Sequence, residues 1–256
     1  MSAGFAVSNQ GEVLTFGIRS WSAWADGLES QDDWRAWSAA PHLPARLAEP
    51  PPLPQMAPML RRRLPGIGRV ALASAYACAP SALGIPAVFA SRHGDTGRLV
   101  SMLSELALGD ALSPTAFGLS VHNAIGAVRS IDLIDTENLV AVSAGRDTVE
   151  TAVLEACSLL ADGATEVMLV HYDEPVATPY APFEDEPACP FSWAWRLGAP
   201  RAGEASFTLT WSATAEPADA PQQLPHGLNV LQFILAGKRE LTYRGEHAGW
   251  RWRRHG

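Results

Sequence analysis

Apolar and polar positions alternate from Phe5 to Phe16 around a polar dip at Ser8–Gly11, which predicts a strand, or a hairpin turning at Asn9 to Gly11. Trp21 and Trp24 then stand three apart, as do Trp34 and Trp37. That spacing places each pair on one helical face, with core packing the expected use and an aromatic partner surface the alternative. Residues 41–58 hold seven prolines, a density no helix or central strand tolerates, so an extended connector is predicted. From Ile67 the pattern is helical and rich in small residues, suited to close packing, until Gly84-Ile85-Pro86 breaks it. Ala87–Ser91 reads as a buried strand, ending at Arg92-His93-Gly94-Asp95. Thr96 is the expected N-cap of a helix striped by Leu99, Met102, Leu103 and Leu106. Ser113-Pro114 marks a turn, and small residues recur closely from Phe117 to Ile131. Strands follow at Asn138–Ser143 and Glu166–His171, separated by a helix over Thr148–Ala161 with Val149, Ala152, Val153, Ala156 and Leu160 on one side.

Strands alternating with helices imply βαβ units and a layered α/β fold, and the near-continuous apolar runs imply strands covered on both faces. After Asp173 the texture changes. Residues 173–190 form an acidic, proline-rich surface loop. "SFTLTWS" is an alternating strand, "LPHGLNVLQFILAG" a helix with a glycine stop, and "RELTYRGEHAGWRWRR" a hairpin. A single domain over residues 1–256 is expected.

Composition narrows the classes. Hydrophobic residues at 47% and charged residues at 18% give a globular balance, and a net charge of −8 opposes nucleic acid and anionic membranes. Arg61-Arg62-Arg63 is accordingly read as a solvated or phosphate-facing helix start. Three cysteines without a CxxC pair fit a reducing cytoplasm, and the start MSAGFAVSNQGEV lacks a signal-peptide pattern. No apolar run approaches the ~20 residues of a membrane span. No metal-ligand spacing or dinucleotide fingerprint is present, so neither metal nor cofactor is expected.

The succession strand, "RHGDTGRLVSMLSELALG", "LSPTAFGLSVHNAIGAVRSI", strand, turn, helix, strand resembles the N-terminal half of the β-ketoacyl synthases. Together with "SPTAFGLSVHNA" it resembles the short, degenerate chain length factors of aryl-polyene-type clusters. The resemblance implies a thiolase-like fold: a layered α-β-α arrangement with a mixed sheet, here with a C-terminal strand–helix–hairpin extension. It also implies that the turn Ser143-Ala144-Gly145-Arg146 is the elbow that carries the acyl-holding cysteine in active members, with Gly145 at the cysteine's position. Glycine offers neither that thiolate nor the glutamine amide that many chain length factors carry there. The residues after Gly145 contain neither histidine motif of the second half and are too few for a second repeat; His226-Gly227-Leu228 is the nearest fragment.

On this resemblance the chain is a non-catalytic partner of a full-length β-ketoacyl-ACP synthase, meeting acyl carrier protein only indirectly. The implied tunnel wall and partner interface comprise Ser113, Pro114, Phe117, Val121, His122, Asn123, Ile125 and Val128, with Asp147 beside the elbow. Arg146 and Asp147 serve either to plug the vestigial site or to complement the helix terminus. The competing reading is an independent acyl-transfer or hydrolytic enzyme using Ser143 or Cys157, against which Cys157 is expected to be buried and structural. His122 is expected to be a hydrogen-bonded core histidine and His93-Gly94-Asp95 a turn. A third reading, a carrier-protein binding module, would use Arg251, Arg253 and Arg254 with Trp250 and Trp252; the plainer expectation for these is a solvated hairpin edge.

Overall fold

A computed structural model describes residues 13–45, 49–79, 84–213 and 222–256. The expected turn at Asn9 to Gly11 lies outside them. The described elements are β1 (Val13–Ala25), α1 (Gln31–Ala39), α2 (Pro58–Arg61), α3 (Gly66–Cys78), β2 (Ala87–Ala90), α4 (Thr96–Ala107), α5 (Pro114–Gly118), α6 (Ala124–Leu133), β3 (Leu139–Val142), α7 (Thr148–Ala161), β4 (Glu166–Asp173), β5 (Phe191–Gly198), β6 (Ser206–Ser212), α8 (His226–Leu235), β7 (Glu240–Arg244) and β8 (Gly249–His255). The strands form one sheet in the order β3-β2-β4-β5-β1-β6-β8-β7. β3, β2 and β4 run parallel, and every pairing from β4 onward is antiparallel. The sheet is mixed, as expected.

Two apolar cores flank it. On one face α1, α7 and α8 pack against Val88, Leu169, Trp193 and Trp252. On the other, α3 and α6 pack against Phe89, Met168, Val170 and Ala194. The result is an α-β-α sandwich. Small residues in α3, such as Ala71, Ser74 and Ala75, let its backbone approach the sheet; Ser74 Oγ donates to Ser192 Oγ at 2.8 Å.

Several expectations are corrected. Trp21 and Trp24 are in strand β1, not on a helical face; their odd spacing sends Trp21 to the α8 side and Trp24 to the α3 side. A register shift between Ile18 and Ser20 slips the alternation, so that Leu14, Phe16 and Ile18 share a face with Trp21, Ala23 and Ala25. That slip hides the strand from a periodicity argument. The Trp34–Trp37 pair does sit on a helix, buried edge-to-face at 5.1 Å. The cap of α4 is Asp95, whose side chain accepts from Arg98 N, and Thr96 is the first helical residue. Of the predicted α4 stripe only Met102 is buried; Leu99, Leu103 and Leu106 are exposed. β5, absent from the sequence reading, is central, with Phe191, Trp193, Trp195 and Leu197 on one face.

β2 and β4 are covered on both faces, but β3 is half-buried at every position because it is an edge. Ala87 N donates to Asn138 O and Ser91 N to Val142 O. In a parallel ladder alternate residues address the same neighbour, so Leu139 and Ala141 turn their backbone groups to the open edge.

Candidate functional site

β3 is followed by Ser143 and Ala144, a single 3-10 turn spans Gly145–Asp147, and α7 begins at Thr148. This is a tight elbow. Thr148 Oγ1 donates to Gly145 O at 2.7 Å and accepts from Ala144 N at 3.0 Å, which closes the turn. Gly145 has φ +54°, a left-handed conformation that side-chain-bearing residues rarely adopt. A Cβ placed on it would meet Glu246 Oε2 at 2.4 Å. The space a side chain would need at the tip is taken by a carboxylate from the β7–β8 hairpin.

That hairpin is fastened to the elbow by Asp147. Its buried carboxylate accepts from Glu246 N at 3.0 Å, His247 N at 2.9 Å and Trp250 Nε1 at 2.7 Å. It makes no side-chain cap to α7. Gly245 is required beside it, since a Cβ there would overlap Asp147 Oδ1 at 1.4 Å. Arg146 reaches the same hairpin, with its guanidinium 6.0 Å from the Tyr243 ring centroid and a 3.4 Å contact to Arg244 O. Both charged residues of the elbow are thus spent on holding the hairpin over it. A second buried tie lies in the first turn of α7. Glu150, fully buried, has Oε1 at 2.7 Å from His226 Nε2 and accepts from Trp252 Nε1 at 2.9 Å. Tyr243 stacks on His226 with centroids 3.3 Å apart. Nothing local in the sequence signals these ties, because α7 and the hairpin are about a hundred positions apart.

The other predicted residues are placed in several ways. Ser113 caps α5 by accepting from Ala116 N, and Pro114 is its first residue. Phe117 and Val121 are exposed, whereas Ile125 and Val128 turn into the chain's own core against α3 and the sheet. Asn123 occupies the cap position of α6 without a side-chain bond. His122 Nε2 lies 3.1 Å from Val142 O, a tie between the α5–α6 connection and the end of β3.

The alternative nucleophiles are poorly placed. Ser143 Oγ donates to Arg92 O at 2.8 Å. Cys157 is buried in the α7 core, and burial pushes its thiol up to about 12. The basic-aromatic cluster divides across the sheet: Trp250 and Trp252 enter the core, while Arg251 and Arg253 project from the opposite face toward Glu240. β8 is an interior strand between β6 and β7, which corrects its expected place at the sheet edge.

A group the sequence reading missed sits behind the end of β4. His171 Nε2 is 3.3 Å from Asp173 Oδ2, and Asp173 Oδ1 accepts from Ser91 Oγ and Arg92 N, both at 2.9 Å. Burial pushes Asp173 up to about 7 and His171 down to about 3. Arg92 is clamped between Asp185 and Glu186, each at 2.8 Å, which draws the acidic loop over this group. The adjoining cavity, about 20 Å³, has room for a single water. His93 and Gly94 lie in the turn expected for them.

A strand–elbow–helix at the end of parallel strands, within an α-β-α sandwich, defines a thiolase-like, ketosynthase-type chain. The sequence model of the family described as "Beta-ketoacyl synthase, N-terminal domain" matches residues 34–253, and the chain belongs to that family. Among solved structures, a chain of "Ketosynthase (ApeO) in Complex with its Chain Length Factor (ApeC) from Xenorhabdus doucetiae" is 29% identical, with a TM-score of 0.79 over 94% of this chain and 99% of that one. The ishigamide ketosynthase/chain length factor aligns with a TM-score of 0.63 at 14% identity, covering 78% of this chain and 67% of that one. A β-ketoacyl synthase from Burkholderia phymatum STM815 gives 0.57 at 11% identity, covering 73% and 59%. No curated protein sequence matches.

Proposed function

We propose that this chain is a non-catalytic chain length factor that pairs with a full-length β-ketoacyl-ACP synthase and shapes its acyl tunnel, in polyene, polyketide or fatty-acid-like synthesis. The observation that carries the reading is the elbow. A condensing enzyme holds its acyl chain as a thioester on a thiolate. At the position where the resemblance implies that cysteine, this chain has Gly145, in a left-handed conformation, with Glu246 packed over it.

Pairing draws support from the other side of the elbow. The helices between β2 and β3 expose Leu99, Leu103 and Leu106 on α4, Phe117 on α5, and Ile131 and Ile134 at the end of α6. So many large apolar side chains left in water mark an interaction surface. They precede β3, whose open edge offers the backbone groups of Leu139 and Ala141 to another strand. The similarity over nearly the whole length of a chain in a ketosynthase–chain length factor complex agrees with this pairing. Phe117, Val121 and the His122–Asn123 segment would then face the partner's acyl tunnel, and acyl carrier protein would dock through the active subunit. No helix among the described residues is long and apolar enough to cross a membrane, and the three cysteines are free and buried, which suits work in the cytoplasm.

Co-expression with a full-length β-ketoacyl-ACP synthase tests the reading. A stable 1:1 complex is expected, with condensing activity in the complex and none in the isolated chain. Purification of this chain alone, with no binding by the co-expressed ketosynthase, would contradict it.

A further inference from the structure

At the end of the sheet opposite the elbow lies an open groove of about 720 Å³. It forms where β1 bulges, β4 and β6 begin, β5 and β8 end, and α8 gives way to Ala236 and Gly237. The protein as a whole is acidic, with 27 Asp and Glu against 19 Lys and Arg. This groove reverses that balance: Arg19, Arg35, Arg196, Arg201 and Arg254 line it, against only Glu166 and Glu204. Asp32, which pairs with Arg35 at 2.7 Å from the rim, still leaves an excess of positive charge.

The guanidinium groups are held in place. Arg35 lies 5.6 Å from the centroid of Trp21, and Arg254 lies 5.7 Å from that of Phe207 while donating to Ile234 O at 3.1 Å. Arg196 Nε donates to Glu166 at 3.0 Å. A guanidinium lying on a ring presents its N–H edge to carboxylates or phosphates, and Arg35 shares that edge with Asp32 at 2.7 Å and Gln31 at 3.1 Å. Arg19 is the most telling of the five. Its side chain is only 8% exposed. It donates to Glu204 at 3.0 Å and to the carbonyl of Ala199, yet its buried Nε has no partner among the described residues. A charged donor left unpaired in such a place carries a desolvation cost, which an anion drawn to the guanidinium would offset through its charge. Arg201 approaches Glu166 and Glu204 only to 4.0 Å, too far for a hydrogen bond. Between the arginines the lining is apolar, with Ile18, Trp21, Phe207, Ile234 and Leu235.

We propose that this groove binds a small amphipathic oxyanion, a carboxylate or phosphate head on an apolar body. The volume falls within the ~300–1,000 Å³ of small-molecule sites. A concave cleft of that size suits one ligand better than a protein partner, which needs roughly 800 Å² of matching surface. The site is separate from the elbow and independent of the pairing proposed above.

Isothermal titration of the full chain tests this with dodecanoate and dodecyl phosphate below their micelle-forming concentrations. Dodecyltrimethylammonium, inorganic phosphate and a polyglutamate peptide complete the set. Saturable binding of one anionic amphiphile or both is expected, and the stronger of the two identifies the head group. Arg35→Met and Arg201→Met, at side chains 56% and 58% exposed and therefore safe for folding, should each weaken binding about tenfold. Arg251→Met, on the exposed face of β8, should leave it unchanged. The proposal is overturned by no saturable heat, by equal binding of the trimethylammonium compound, or by equal sensitivity to Arg251→Met. Tighter binding of inorganic phosphate or polyglutamate than of either amphiphile would also overturn it, since the apolar lining would then contribute nothing.

Discussion

The two edges of the sheet are built to opposite rules. β7 reads Glu-Leu-Thr-Tyr-Arg, with charges at both ends and Glu240 tied to Arg253 at 2.9 Å across to β8. Such an edge resists the addition of another strand. β3 reads Leu-Val-Ala-Val, carries no charge, and follows helices that leave leucines, a phenylalanine and isoleucines in solvent. An undefended edge and large apolar side chains left in solvent are aggregation hazards unless something covers them. On the pairing proposed above, the difference is that between a guarded edge and an edge kept for a partner. The elbow follows directly on the reserved edge, and the guarded hairpin is the piece that closes over it.

The largest expected effect comes from blocking the reserved edge. Ala141 turns its N–H away from β2, so Ala141→Pro preserves the β2–β3 ladder and removes only a donor facing outward. The partner complex should weaken by about 100-fold, close to 2.7 kcal/mol, in a titration, while the isolated chain still folds. Unchanged affinity would place the interface elsewhere.

Next comes the tie between elbow and hairpin. Asp147→Ala strands three donors, among them the buried Trp250 Nε1. Loss of about 3 kcal/mol in urea unfolding is expected, with early exchange of the β7–β8 amides. Ile134 comes third. It is 89% exposed and holds φ 52°, ψ 40° at the end of α6, a left-handed conformation that a β-branched residue adopts only with strain. Ile134→Gly should stabilise the isolated chain by about 1 kcal/mol and yet weaken the complex, because the strained residue is presented to the partner. A gain in both would show that the strain serves no contact. The smallest effect is at the guarded edge: Glu240→Val with Arg244→Val should leave the melting temperature in place but give concentration-dependent self-association by light scattering.

Much of the parallel half was legible in the sequence. The α7 boundaries Thr148–Ala161 follow from its periodicity, and the short apolar runs Ala87–Ser91 and Asn138–Ser143 contain β2 and β3, overrunning them by a residue at one end or both. Legibility failed where local pattern and tertiary role part company. The β1 bulge slips the alternation, so two tryptophans three apart look helical. β5 does alternate, Phe191-Ser192-Trp193-Ala194-Trp195, but it follows an acidic, proline-rich loop whose texture masked it. The exposure of Leu99, Leu103 and Leu106 could not be read from a stripe, because a stripe does not say which surface covers it. At the elbow, Gly145 itself was visible. Its cover by Glu246 and the use of Asp147 as a fastener were not, since they join segments distant in the chain.

Native mass spectrometry of the reconstituted pair, after incubation with acyl-loaded carrier protein, tests the central claim most directly. The account predicts a 1:1 complex in which the acyl mass is found on the ketosynthase subunit alone. An acyl adduct on this chain, or its persistence as a free species beside an active ketosynthase, would contradict it.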